Sequence, residues 1–150
     1  MVTAQDVPSD KLIGALAEQM KSLPALKEPD WAQWVKTGSH AERPPTNSDW
    51  WFTRAASLMR KLYLHGPVGL TDLRRVYGGT KALHYYPKHH RDAGGLSIRK
   101  LLTQLEQAEL VAKTPKGRVL SPKGRAMLDK TSRQIFISLS ESNKALARYG

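Results

Sequence analysis

The chain contains no cysteine among its 150 residues. Disulfides, cysteine-based zinc fingers and thiol catalysis are therefore excluded, and the absence suits a reducing intracellular compartment. No apolar run approaches the roughly 20 residues that a helix needs to span a bilayer. The opening MVTAQDVPSD has no basic stretch followed by an apolar one, so no secretory signal is expected. Enzyme signatures are missing too: there is no P-loop, no Gly-x-Gly-x-x-Gly after a strand, and no cluster of carboxylates. No repeat or low-complexity segment is visible. A zinc site built from His84, His89 and His90 lacks an obvious fourth ligand at standard spacing. The expectation is a protein with no catalytic residues, no cofactor, no metal and no small-molecule substrate.

Acidic side chains are scarce, 13 Asp and Glu against 24 Lys and Arg, for a net charge of +11. The surplus is unevenly spread. Residues 1–47 hold 5 basic and 6 acidic side chains, net −1, whereas residues 48–150 hold 19 basic and 7 acidic, net +12. Such a footprint implies a polyanionic partner, most often nucleic acid and less often a membrane surface. A single domain of 150 residues is expected, with a core of ordinary size. It divides into an N-terminal helical extension (1–47), a core (48–138) and a tail (139–150).

The segment SDWWFTRAASLMRKLYLH, residues 48–65, carries a helical apolar stripe of Trp51, Phe52, Ala55, Ala56, Leu58, Met59, Leu62 and Tyr63. The opposite face holds Trp50, Arg54, Ser57 and Lys61, with Arg60 at its edge. Two readings of Trp50 stand open. An aromatic ring among cations suits a surface that grips nucleic acid. Alternatively, the ring sits in the first helical turn and folds back onto a neighbouring segment.

Elsewhere the pattern predicts a first helix over residues 8–22, capped by Asp6, with Leu12, Leu16, Met20 and Leu23 on one stripe. A short helix follows in EPDWAQWVKTG, where Trp31, Trp34 and Val35 share a face expected to enter the core. SHAERPPTN is a loop. Residues 68–70 suggest a very short strand, followed by a two-turn helix capped by Thr71 and ended by Gly78-Gly79. TKALHYYPKHHRDAGG, residues 80–95, is expected to be a long loop. The next helix buries Ile98, Leu101, Leu102 and Leu105 and exposes Arg99, Lys100, Thr103 and Gln107. LVAKTPKGRVLSP predicts a β-hairpin turning at Pro115-Lys116-Gly117. A last helix starts at Ser121-Pro122 and runs to about residue 137. The fold class is mostly α: a winged helix-turn-helix-like core with a small β-hairpin wing and an N-terminal helical extension.

Four positive elements emerge: the outer face of the Trp50 helix (Arg54, Arg60, Lys61), the YYPKHHR loop (Lys88, His90, Arg91), the outer face of the Arg99–Lys100 helix, and the PKGR wing (Lys116, Arg118). Lysine and arginine there would neutralise phosphates and release counterions.

Several blocks carry a family resemblance: PDW with VK after three further residues (29–36), DWWFTRAAS (49–57), LYLHG (62–66), VYGG (76–79), and RKLLTQLE (99–106) leading into LVAK. With these, nearly the whole chain resembles the e-type ribosomal protein nineteen family of the archaeal and eukaryotic small subunit. The resemblance implies a winged-helix-like helical protein, cytoplasmic and ribosome-associated. It implies binding to ribosomal RNA in the subunit head, beside neighbouring small-subunit ribosomal proteins, and a part in small-subunit maturation. It also implies a basic surface centred on Trp50, Arg54 and Arg60, joined by Arg99 and Lys100. The YYPKHHR loop matches less well, so Lys88, His90 and Arg91 rest on their chemistry. The alternative from element order alone is a DNA-binding winged-helix regulator, with Arg99, Lys100, Thr103 and Gln107 reading a major groove.

Overall fold

The computed structural model describes residues 2–148. Helices α1 (Ser9–Lys21), α2 (Trp50–His65) and α3 (Leu70–Val76) precede a hairpin, β1 (Gly79–Leu83) and β2 (Tyr86–Arg91). Helix α4 (Gly95–Gln107), a second hairpin of β3 (Val111–Thr114) and β4 (Gly117–Leu120), and the long α5 (Pro122–Ser142) follow. Short 3-10 turns occupy Asp30–Gln33 and Lys144–Arg148. The proposed tail boundary at residue 138 falls inside α5, which continues to Ser142. Of the tail, Tyr149 and Gly150 lie outside the described residues.

Helix α2 is the axis of the core. Its stripe buries Trp51, Ala55, Ala56, Leu58, Met59 and Leu62 against α1, α4 and α5. Helix α1 contributes Leu12, Leu16 and Met20, all fully buried. A 13-residue helix is marginal in isolation. What holds α1 is this packing, each such side chain contributing about 1.5–3 kcal/mol relative to exposure. Gln19 and Thr131 hydrogen-bond across to α5 at 3.2 Å, and Lys21 pairs with Asp49 at 2.7 Å. The near-neutral extension therefore belongs to the same core as the basic remainder.

A polar relay fastens the segment after α1. The Trp51 indole N–H donates to Gln104 Oε1 at 3.0 Å, and Gln104 Nε2 donates to the Lys27 carbonyl at 2.7 Å. Trp31 meets the fully buried Trp51 edge-on, with ring centroids 5.6 Å apart. Trp34, expected in the core beside it, is 80% exposed. The reason is where the helix ends. Asp30–Gln33 is a single 3-10 turn and Trp34 is the residue that closes it, so no continuing helix carries Trp34 and Val35 onto the face of Trp31.

The winged-helix pattern is complete. Val68 exchanges both backbone hydrogen bonds with Arg118 at 3.0 Å, so the very short strand is one bridge onto the wing. Gly117 (φ +137°) stands at that crossing, where a Cβ would lie 2.7 Å from the Val68 carbonyl. Ser121 caps α5 by accepting from the Gly124 N–H at 3.0 Å, with Pro122 following it, as the sequence indicates. Two other caps differ. Asp6 accepts from the Thr3 N–H and hydroxyl instead of closing α1, and α3 begins at Leu70, one residue before Thr71.

Residues 80–95 are not a loop. Their first part is the β1–β2 ribbon, paired Gly79↔Arg91, Thr80↔His90, Lys81↔His89 and Leu83↔Tyr86, with an irregularity between Lys81 and Leu83. Every residue of β2 is exposed. With no buried face there is no apolar–polar alternation to reveal the strands. The turn, His84-Tyr85, contains no positive φ and no glycine, so the usual hairpin signal is missing as well.

Candidate nucleic-acid interface

The outer face of α2 is organised around a residue from another element. Tyr77, just after α3, lies against it, its hydroxyl 2.7 Å from Ser57 Oγ. The Arg54 guanidinium carbon sits 4.3 Å from the Tyr77 ring centroid, and Lys61 Nζ lies 5.4 Å from it. One aromatic ring thus gathers two cations that are two helical turns apart. Burial lowers the Arg54 pKa, opposed by Tyr77, and raises that of the Tyr77 phenol despite the Ser57 hydrogen bond. Arg54 stays cationic, as arginine does throughout the accessible pH range. Its Nη1 and Arg60 Nε are buried and have no hydrogen-bond partner among the described residues. Leaving a buried donor unpaired costs free energy.

Trp50 departs from the reading that stands it free among the cations. It is only 8% exposed, its indole N–H donates to the Ala32 carbonyl at 3.3 Å, and it packs edge-on against Trp51 with centroids 5.4 Å apart. The segment after α1 and the proline loop cover it, so the fold-back reading describes the ring's position. Its rim still borders a recess of about 340 Å³ shared with Pro45, Asn47, Arg54 and Tyr77. A second recess of about 420 Å³ lies between Trp50, Glu28 and Thr46. The indole is a covered wall of that recess, not an open stacking platform.

The other expected residues divide. Arg99 and Lys100 are exposed on the outer face of α4, as are Thr103 and Gln107. Lys88 and His90 share one face of the β1–β2 ribbon, whereas Arg91 lies on the opposite face with Lys81 and His89. His90 Nε2 is 3.3 Å from Asp92 Oδ1. Lys116 is exposed at the wing tip. Arg118 is not free: its Nε is 3.1 Å from Glu106 Oε1, in a largely covered pair. Helix α3 joins these parts. Arg74 donates to the Ala93 carbonyl at 3.0 Å and its side chain lies beside Gly95, so α3 links the α2 face to the ribbon base and the start of α4. Tyr77, which organises the outer face of α2, enters the sequence pattern only as part of VYGG. The signal available was an aromatic two residues after the basic pair Arg74-Arg75.

Among the described residues, no helix is long and apolar enough to cross a membrane, and no group of three or more His, Asp or Glu is placed to hold a metal ion.

Comparison with known proteins gives the family. The profile of ribosomal protein S19e matches residues 3–138. The chain belongs to the ribosomal protein S19e family. It is 48% identical to the small ribosomal subunit protein eS19 of Aeropyrum pernix over 152 aligned residues, covering 99% of each chain. Against the protein of the same name from Thermoplasma acidophilum it is 43% identical, again over 99% of each. The similarity extends to Entamoeba histolytica, whose eS19 is 40% identical over 88% of this chain and 85% of its own length. As a member of a ribosomal protein family this S19e chain is a structural component of the ribosome, which is cytoplasmic, and not an enzyme.

Proposed function

We propose that this S19e protein is a constituent of the small ribosomal subunit that binds ribosomal RNA in the subunit head, beside other small-subunit proteins, and is required for maturation of that subunit. The observation that carries the RNA-binding reading is the Arg54–Tyr77–Lys61 cluster, a preformed cationic cluster on the outer face of α2. Arg54, Lys61, Arg60, Arg99 and Lys100 neutralise phosphates, with Lys88, His90 and Arg91 on the ribbon and Lys116 on the wing. Trp50 acts through the core, as a covered wall of the recess it lines with Arg54, and Arg118 by holding the wing through Glu106. Phosphate contacts set position and orientation, which is what an architectural protein of a ribonucleoprotein needs.

The experiment is sedimentation of small subunits after a high-salt wash, followed by depletion of the protein in cells. Retention in the washed subunit and accumulation of unprocessed small-subunit RNA on depletion are expected. A protein recovered wholly in the soluble fraction contradicts the reading.

A further inference from the structure

The β1–β2 ribbon ends in two aromatic rings with nothing to pack on. Tyr85 is 95% exposed and Tyr86 71%, beside the half-exposed Leu83. None of residues 80–91 is buried. A lone two-stranded hairpin is marginally stable in water. Here only the base is fastened, by Ala93 N–H to the Arg74 carbonyl at 2.9 Å and Gly94 N–H to the Thr37 carbonyl at 2.8 Å. Residues 79–91 contain Lys81, Lys88 and Arg91 and no Asp or Glu. Register places Lys88 on one face and Lys81 with Arg91 on the other.

We infer that the tip is a base-stacking site, at which Tyr85 and Tyr86 stack on unpaired nucleobases of ribosomal RNA while the ribbon passes between two phosphate-lined walls. The inference rests on the RNA-binding reading above and adds a site, two residues and a ligand class to it. Cations on both faces suit phosphates on both sides. A dry protein interface depletes charged residues from its centre, and this ribbon has no uncharged face to offer one. Bases in a duplex present only their edges, and the A-form major groove is too deep and narrow for side chains to read. Rings therefore reach base planes only where nucleotides are unpaired.

The test uses the full chain bound to small-subunit ribosomal RNA, with nucleotide-resolution chemical probing and a binding titration. Tyr85→Ala/Tyr86→Ala is expected to weaken binding roughly ten-fold or more and to lose protection at one or two unpaired bases. Its backbone footprint elsewhere and its salt dependence should stay as in the native chain, and Tyr85→Phe/Tyr86→Phe should bind like native. An alanine variant with native affinity and footprint overturns the stacking site and leaves RNA binding standing. A native chain that leaves no footprint at all overturns both. A second arm exploits the absence of cysteine: His84→Cys supplies a unique thiol for a photo-cross-linker in assembled subunits. Cross-links to RNA are expected, and cross-links confined to a neighbouring protein overturn the proposal.

Discussion

The Arg54 guanidinium lies 4.3 Å from the centroid of the Tyr77 ring, joining the central helix α2 to the end of α3. A cation over an aromatic face contributes about 0.5–1 kcal/mol when exposed and about 2 when desolvated. Tyr77 also draws in Lys61 and meets the Ser57 hydroxyl, so it fixes the α2 face from outside. Tyr77→Leu should cost about 1–3 kcal/mol in urea denaturation and weaken RNA binding, because Arg54 loses its seat. Tyr77→Phe keeps the ring, should cost only about 1 kcal/mol through the lost hydroxyl contact, and should bind RNA like the native protein.

Trp50 is a core residue by position. Trp50→Ala should destabilise by about 3–5 kcal/mol, the range for truncating a buried aromatic. Trp50→Phe should recover most of that stability and most of the RNA affinity, since the ring is covered and does not lie open for stacking. Thermal melts and filter binding on the same preparations check both. A Trp50→Ala chain that melts like native contradicts the packing described above.

Alkaline pH should unfold the protein earlier than its acidic groups alone imply. Desolvation, with the Asp129 hydrogen bond, raises the Tyr63 pKa above the ordinary 10.0, and desolvation raises that of Tyr77. The native state then holds tyrosine protons that the unfolded chain has released, so stability falls as pH rises. The contribution is fully present below about pH 10, the unfolded tyrosine value, and is lost as pH climbs through the folded values. Urea midpoints should drop more steeply above that pH for the native chain than for Tyr63→Phe/Tyr77→Phe. Parallel curves contradict this.

The two wing cations should behave differently. Lys116 is exposed and makes no ion pair among the described residues, so Lys116→Ala should reduce the log–log salt slope of RNA binding by about 0.7, the share of one phosphate contact. Arg118 is committed to Glu106, so Arg118→Ala should leave that slope unchanged and instead lower the melting temperature. Equal slope changes for both variants contradict the assignment.

Much of this was legible from residue order because the core obeys simple periodicities. The α2 stripe, the buried series Ile98, Leu101, Leu102 and Leu105, the Ser121-Pro122 start and the wing turn follow from spacing and turn chemistry. What was hidden depends on contacts distant in sequence. Trp50 has a cationic address on the α2 wheel, yet the chain around Ala32 and Pro45 folds over it, and no local pattern encodes that cover. Trp34 shows the converse. The expected helix is a single 3-10 turn that stops at Gln33, so Trp34 lies just past it and its ring stands in solvent. Arg118 looked like any other wing cation until Glu106, twelve residues earlier, came within 3.1 Å. The β1–β2 ribbon left no trace because both its faces are wet.

The central claim, that the cations on α2 and α4 hold ribosomal RNA, is tested most directly on the pair with no structural duties. Arg99 and Lys100 are exposed on α4 and make no ion pair among the described residues. Arg99→Gln/Lys100→Gln should melt like the native chain, since surface substitutions away from special features change stability by no more than about 0.5 kcal/mol. In competition with native protein for incorporation into small subunits, it should be largely excluded after a high-salt wash. Incorporation in equal proportion contradicts the account.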